Sequence, residues 1–226
     1  MGLLLLIETS STNCSVAIAR DGQLIKLKEY ASQQYVHAES LHPFIEDLLQ
    51  ETDMSAKQLQ AIAVSEGPGS YTGLRIGVAS SKGLCFALEI PLIAISTTAM
   101  LADFASESPN CPDHIIPMID ARRMEVYCAH YSKEGKKIKA DSAEIIDENF
   151  FIDLKNKSVL FIGDGAEKCR GFISEGHSIL SIVPSASMMV SLGEKKFNAS
   201  NFEDLAYFEP HYLKDYLPGI TTKSIL

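Results

Sequence analysis

The strongest constraint on this chain is a pattern that it carries twice. An apolar run, Leu3 to Ile7, ends in an acid, Glu8. A polar stretch, a strand-like segment at 14–19 and the turn Asp21-Gly22 follow. The same order returns later: Ile115 to Ile119, Asp120, a polar stretch, a strand-like segment from Glu125 to Tyr131, and Glu134-Gly135. The two acids are 112 residues apart and the two turn glycines 113. Two features kept in register point to a duplicated β-rich unit. A polar segment at 106–113, with two prolines and an asparagine, separates a unit at 1–105 from one at 114–226.

Between these landmarks the pattern alternates. Leu41, Phe44, Ile45, Leu48 and Leu49 recur at helical spacing and predict an amphipathic helix over about Tyr35 to Glu51. A strand at 61–65 leads into the glycine-rich loop 66–73 and a helix running to about Leu88. A strand over 90–95, a helix over 97–105, a strand at 158–162 and a helix from about Ala166 complete the expectation. Such alternation predicts a layered α/β fold.

Charge and cysteine usage narrow the function classes. The net charge of −9 repels phosphate backbones, so the chain is not expected to grip a nucleic acid by itself. The cluster Lys133, Lys136, Lys137 and Lys139 reads as a solvated hairpin tip rather than a polynucleotide patch. Five cysteines without C-x-x-C spacing predict buried, reduced thiols rather than disulfides or a thiolate zinc site. The apolar start is too short for a signal core, and no stretch reaches about 18 apolar residues. The cytoplasm, with no membrane contact, is the expected setting.

Three stretches could carry chemistry. Glu8-Thr9-Ser10-Ser11-Thr12 follows a buried strand; its hydroxyls and amides could cradle a phosphate, or simply satisfy their own turn. Gly163-Asp164-Gly165 could let an anion approach a helix start, or be an ordinary strand–helix turn. In the block 66–77, Gly73, Gly77 and Ser80 leave a flat strip along one helix face, suited to close approach either by the chain's own sheet or by another helix. His37 and His42 stand about 140° apart on a helix and cannot share one metal. No G-x-S-x-G elbow or cysteine nucleophile motif is present.

Together, Ile7-Glu8-Thr9-Ser10-Ser11-Thr12-Asn13-Cys14-Ser15-Val16-Ala17, His37-Ala38-Glu39-Ser40-Leu41 and Gly67-Pro68-Gly69-Ser70-Tyr71-Thr72-Gly73-Leu74-Arg75-Ile76-Gly77 resemble the TsaB (YeaZ) family. The resemblance is close over 3–100 and thins beyond 170. It implies the actin/Hsp70/sugar-kinase fold, two duplicated lobes with mixed sheets flanked by helices. It also implies a non-catalytic subunit supporting threonylcarbamoyl transfer to a tRNA adenosine next to the anticodon. The implied partners are a TsaD-like catalytic subunit and a TsaE-like ATPase, with tRNA met only through the complex and a homodimer when alone. Pairing is expected through His37, Leu41, Phe44, Leu48, Tyr71, Thr72, Gly73, Arg75, Ile76, Gly77 and Ser80. On that reading Gly77→Leu holds the helices apart.

Glu8, Thr9, Ser10, Asp120, Gly163 and Gly165 are the expected vestigial nucleotide loops. No intrinsic cofactor follows, although ATP or ADP could sit within the complex. The catalytic relatives carry H-x-x-x-H just after the strand matching 92–95; here that stretch reads Ser96-Thr97-Thr98-Ala99-Met100, which implies no metal and no transfer chemistry. The competing reading is a small-molecule kinase or ATPase of the same fold.

Overall fold

In the computed structural model, residues 2–32, 36–147, 150–173 and 176–214 are described. The first unit runs β1 (Leu3–Glu8), β2 (Asn13–Arg20), β3 (Gln23–Ala31), α1 (His37–Glu51), β4 (Ala61–Gly67), α2 (Tyr71–Leu88), β5 (Leu92–Ser96) and α3 (Thr97–Ser106). The second runs β6 (His114–Asp120), β7 (Glu125–Ser132), β8 (Lys137–Ile145), β9 (Val159–Ile162) and β10 (Ser178–Leu180), before a last helix, α4 (Val190–Asn198). The expected helix start at Tyr35 lies outside the described residues; the described helix opens at His37.

The duplication is realised in the sheets. The first has the order β3-β2-β1-β4-β5 and the second β8-β7-β6-β9-β10. In each, the first strand runs antiparallel to the next in sequence and parallel to the strand on its other side. This is the two-lobed arrangement of the actin/Hsp70/sugar-kinase class.

One apolar layer fills the space between the sheets. Leu4, Leu6, Ala63 and Ile93 contribute from the first sheet, and Ile115, Ile119, Ala129 and Ile162 from the second. Met100 and Leu101 of α3 join them. The other face of β1, through Leu3, Leu5 and Ile7, packs under α1 and α2. A strand buried on both faces needs apolar side chains at every position, which is why Leu3 to Ile7 is a continuous run.

The lobes differ in their cover. Two long helices lie on the outer face of the first sheet. Over the second, the helix expected from Ala166 is a six-residue 3-10 turn, Glu167–Phe172; Gly171 in its last turn is a poor helix former. The strand expected from Ile90 begins at Leu92, because Glu89 turns left-handed (φ 55°) and Pro91 has no N–H to give a ladder.

Among the described residues of the expected 114–226 lobe, the later part returns to the first lobe. Gly193 of α4 lies against Leu4, Leu6 and Ile95, close enough that an added Cβ would be in ordinary contact with all three. Lys196 Nζ donates to the Ala94 carbonyl (2.6 Å) and the Glu203 amide to that of Leu92 (2.9 Å). The chain from about Ala186 thus packs on the first lobe. β8, β10 and α4 have no counterpart among the sequence expectations.

Candidate functional site

The ends of β1 and β6 face one another across a cleft. A cavity of about 320 Å³ there is lined by the β1–β2 turn, the start of α2, the β6–β7 turn, Asp164 and Lys214. Among the expected loop residues, Ser10 and Asp120 reach it.

Glu8 is fully buried at the end of β1. One carboxylate oxygen accepts from the Ser10 amide, while the other has no hydrogen-bond partner among the described residues. Burial, opposed by the hydrogen bonds from Ser10 and Ser65, pushes its pKa up to about 7. Asp164, whose Oδ1 accepts from the Asp120 amide (2.9 Å), is raised to about 6, chiefly by burial. Asp120 is exposed and held by the Lys168 ammonium, which also donates to the Glu125 carbonyl. Arg122 turns left-handed (φ 68°) at the cavity edge and gives its amide to Asp120 (2.7 Å). Sequence reasoning missed Arg122, Tyr127, Asp164, Lys168 and Lys214. Asp164 alone had a signal, its place between two glycines.

The glycines of both loops serve the chain's own packing. At Gly163 (φ 126°) an added Cβ would stand 2.2 Å from the Met118 carbonyl oxygen, and at Gly165 3.0 Å from the Ile119 backbone. At Gly69 it would stand 2.4 Å from the Ser10 carbonyl oxygen, which already accepts from the Ser70 amide (2.6 Å). Thr9 donates its hydroxyl to the Gly73 carbonyl (2.8 Å). The loop before α2 therefore sits in the crook that a phosphate would need, beside a carboxyl half-protonated near neutral pH. These residues do not fit a nucleotide's phosphates.

The expected pairing face needs correction. His37, Leu41, Leu48, Gly73 and Gly77 are buried within the lobe. Nε2 of His37 donates to the Ser11 carbonyl (2.9 Å), and burial lowers its pKa, opposed by that hydrogen bond. An added Cβ at Gly77 would meet Thr9 Oγ1 at 2.2 Å. The flat strip lets α2 approach its own β1 end, and Gly77→Leu would strike Thr9 rather than a partner. Thr72 and Arg75 are exposed; Phe44, Tyr71, Ile76 and Ser80 are half-buried. Ser80 bonds across to His42 on α1 (3.2 Å). The outer surface of α2 also carries Ala79, Gly83 and Phe86, all unforeseen; Phe86 is 79% exposed.

At the start of α3, Ser96 caps the helix by accepting from the Ala99 amide (3.3 Å). Thr98 shares a hydrogen bond with the Tyr131 hydroxyl (3.2 Å) and donates to Asp141, whose other oxygen pairs with Lys137. Thr98 therefore ties the two lobes together. All five cysteines are free and buried, as expected. Burial raises the Cys14 and Cys169 thiols to about 11 and those of Cys85 and Cys128 to about 12, far from thiolate reactivity. Among the described residues, no helix is long and apolar enough to cross a membrane.

Comparison with known proteins agrees along the chain. A family model described as TsaD, tRNA N6-adenosine threonylcarbamoyltransferase, matches residues 29–217. A Bacillus subtilis protein named tRNA threonylcarbamoyladenosine biosynthesis protein TsaB is 30% identical over 223 residues, covering 93% of each chain. The Haemophilus influenzae protein of that name is 28% identical over 225 residues, covering 94% of this chain and 93% of that one. The solved structure of YeaZ from Pseudomonas aeruginosa superposes with a TM-score of 0.79 at 28% identity, over 94% of this chain and 100% of that one. With both lobes matched and nearly the whole length of each relative covered, the chain belongs to the TsaB (YeaZ) family.

Proposed function

We propose that this chain supports formation of threonylcarbamoyladenosine in tRNA as a non-catalytic subunit, pairing with a TsaD-like transferase through the outer surface of α1 and α2. The observation that carries the reading is Phe86. It stands 79% exposed on α2, one turn beyond Gly83, where an added Cβ would meet nothing within 4 Å. A large aromatic beside a flat, open stretch of helix suits close packing by a second helix. The chain brings no thiolate to the reaction, and the crook behind its cleft is filled by its own loop. ATP or ADP within the assembly would therefore rest mainly on the partners. A TsaE-like ATPase joins the assembly, tRNA is reached only through the partners, and the free chain self-pairs over the same helices. The cytoplasm is the proposed compartment. A kinase or ATPase reading is not favoured, because Gly69 and Ser70 occupy the space at Ser10.

Phe86→Asp tests this. It is expected to weaken pairing with the transferase subunit about 30-fold or more, as for a central aromatic anchor, and to lower tRNA modification by the reconstituted complex. At a concentration where the isolated chain is monomeric, its thermal melt should not change, since the ring is exposed. Normal pairing by the folded variant would exclude this surface. Modification at full rate without the chain would exclude the supporting role.

A further inference from the structure

The last described stretch of the chain crosses α2 as a strap. Leu205 and Phe208 pack against the apolar layer beneath α1 and α2. The Lys82 ammonium holds the strap by donating to the carbonyls of Ala206 (3.2 Å) and Phe208 (2.9 Å). The His211 amide donates to the Glu66 carbonyl (2.7 Å), and the ring of Tyr212 rests 4.7 Å from that of Tyr71. Between strap and helix lies a groove of about 340 Å³, bounded by Tyr71, Arg75, Ala79, Lys82, Glu209 and Tyr212.

Arg75 is the unusual member of this groove. Its guanidinium lies 5.5 Å from the Tyr71 ring centre and gives one N–H to the Tyr71 hydroxyl (3.1 Å). In a chain of net charge −9, no ion pair to it is found among the described residues, although Glu209 borders the same groove. Lys82, the other cation there, already spends two donors on strap carbonyls. A planar fork held by a hydrogen bond to a tyrosine hydroxyl loses little freedom on binding, and its remaining N–H groups match a carboxylate with two parallel hydrogen bonds. The groove is also continuous with the exposed side of α2, and Tyr207, 84% exposed, stands on the strap between the two carbonyls bound to Lys82.

We propose that the strap completes the partner surface of α2, and that Arg75, beside Tyr71 in the groove that Tyr212 borders, receives a carboxylate from an acidic side chain of the paired transferase subunit. This rests on the pairing proposed above and adds to it a place, a chemistry and a polarity of charge.

The test is pairing of the full chain with the transferase subunit by calorimetry at low and high salt. Arg75→Gln should weaken pairing about tenfold at low salt and flatten its salt dependence, with an unchanged melt. Arg75→Lys keeps the charge without the fork, so it should keep the salt dependence and lose several-fold in affinity. Tyr212→Ala should also lose several-fold, because the strap wall is removed. If Arg75→Gln pairs like wild type at both salt concentrations, the carboxylate contact is refuted; if Tyr212→Ala does, the strap is not part of the surface. Loss confined to self-pairing would assign the carboxylate to a second copy and overturn the proposal as stated. Wild type that pairs with nothing would overturn the proposed function and this inference together, which separates that failure from the others.

Discussion

Gly73→Ala is expected to lower the unfolding free energy by about 3 kcal/mol or more, although alanine is the better helix former. The added Cβ would stand 2.0 Å from the Thr9 carbonyl oxygen. That atom is backbone and cannot rotate away. The Thr9 hydroxyl also donates to the Gly73 carbonyl, so parting helix from turn breaks a buried hydrogen bond as well. Gly83 is the control: it lies on the same helix, exposed, with nothing within 4 Å of a built Cβ. Gly83→Ala should stabilise by about 0.5–1 kcal/mol through helix propensity alone. Urea unfolding of the two variants measures both. A Gly73→Ala protein within about 0.5 kcal/mol of wild type would show that the turn at Thr9 yields easily, and that the tight fit of α2 on β1 is not what the glycine secures.

The second large effect is on pH dependence. Glu8 has a folded pKa of about 7 against an ordinary value of 4.5, so the native state binds its proton more tightly than the unfolded chain does. Stability from this group is therefore full below about pH 4.5, falls as pH rises from there to about 7, and is flat above. A shift of that size in a fully buried group corresponds to about 3 kcal/mol. Asp164, raised to about 6 from 3.8, acts in the same direction over a lower window. The exposed carboxylates Glu51 and Glu167 are held low by Lys26, Lys28 and Arg170, and oppose the trend only at acid pH. Glu8→Gln keeps an oxygen for the Ser10 amide and removes the titration. The gap between variant and wild type should move in favour of the variant by about 2–3 kcal/mol between pH 4.5 and 8. Parallel stability curves for the two proteins over that range would mean that Glu8 is ionised in the native state.

These two residues show how far local pattern reaches. The duplicated sheets were legible because a strand buried on both faces demands an unbroken apolar run, and because a turn glycine and a terminal acid are local marks. The ranges of β1, β2, β6, β7 and α3 followed within a residue or two. Glu8 was visible as the end of such a strand, but its charge state was not, since that depends on what covers it. The direction faced by α2 was hidden for another reason. Leu74, Ile76, Val78, Leu84 and Phe86 spread apolar side chains around the helix, and a glycine strip has no side chains to report which side is covered. Close approach was legible at Gly73 and Gly77; its object, Thr9 rather than a partner, was not.

The sequence by itself determined the doubled α/β plan, the reduced buried cysteines and the family, each set by short-range pattern or by a run of matched residues. Only the tertiary structure decided which atoms meet across long separations. It brought Asp164 to Asp120, Lys168 to Glu125 and Lys214 to the cleft, and it sent α4 and the strap back over the first lobe. Such contacts join residues tens to more than a hundred positions apart. They arise from the closing of two sheets on one shared core, which no local periodicity encodes.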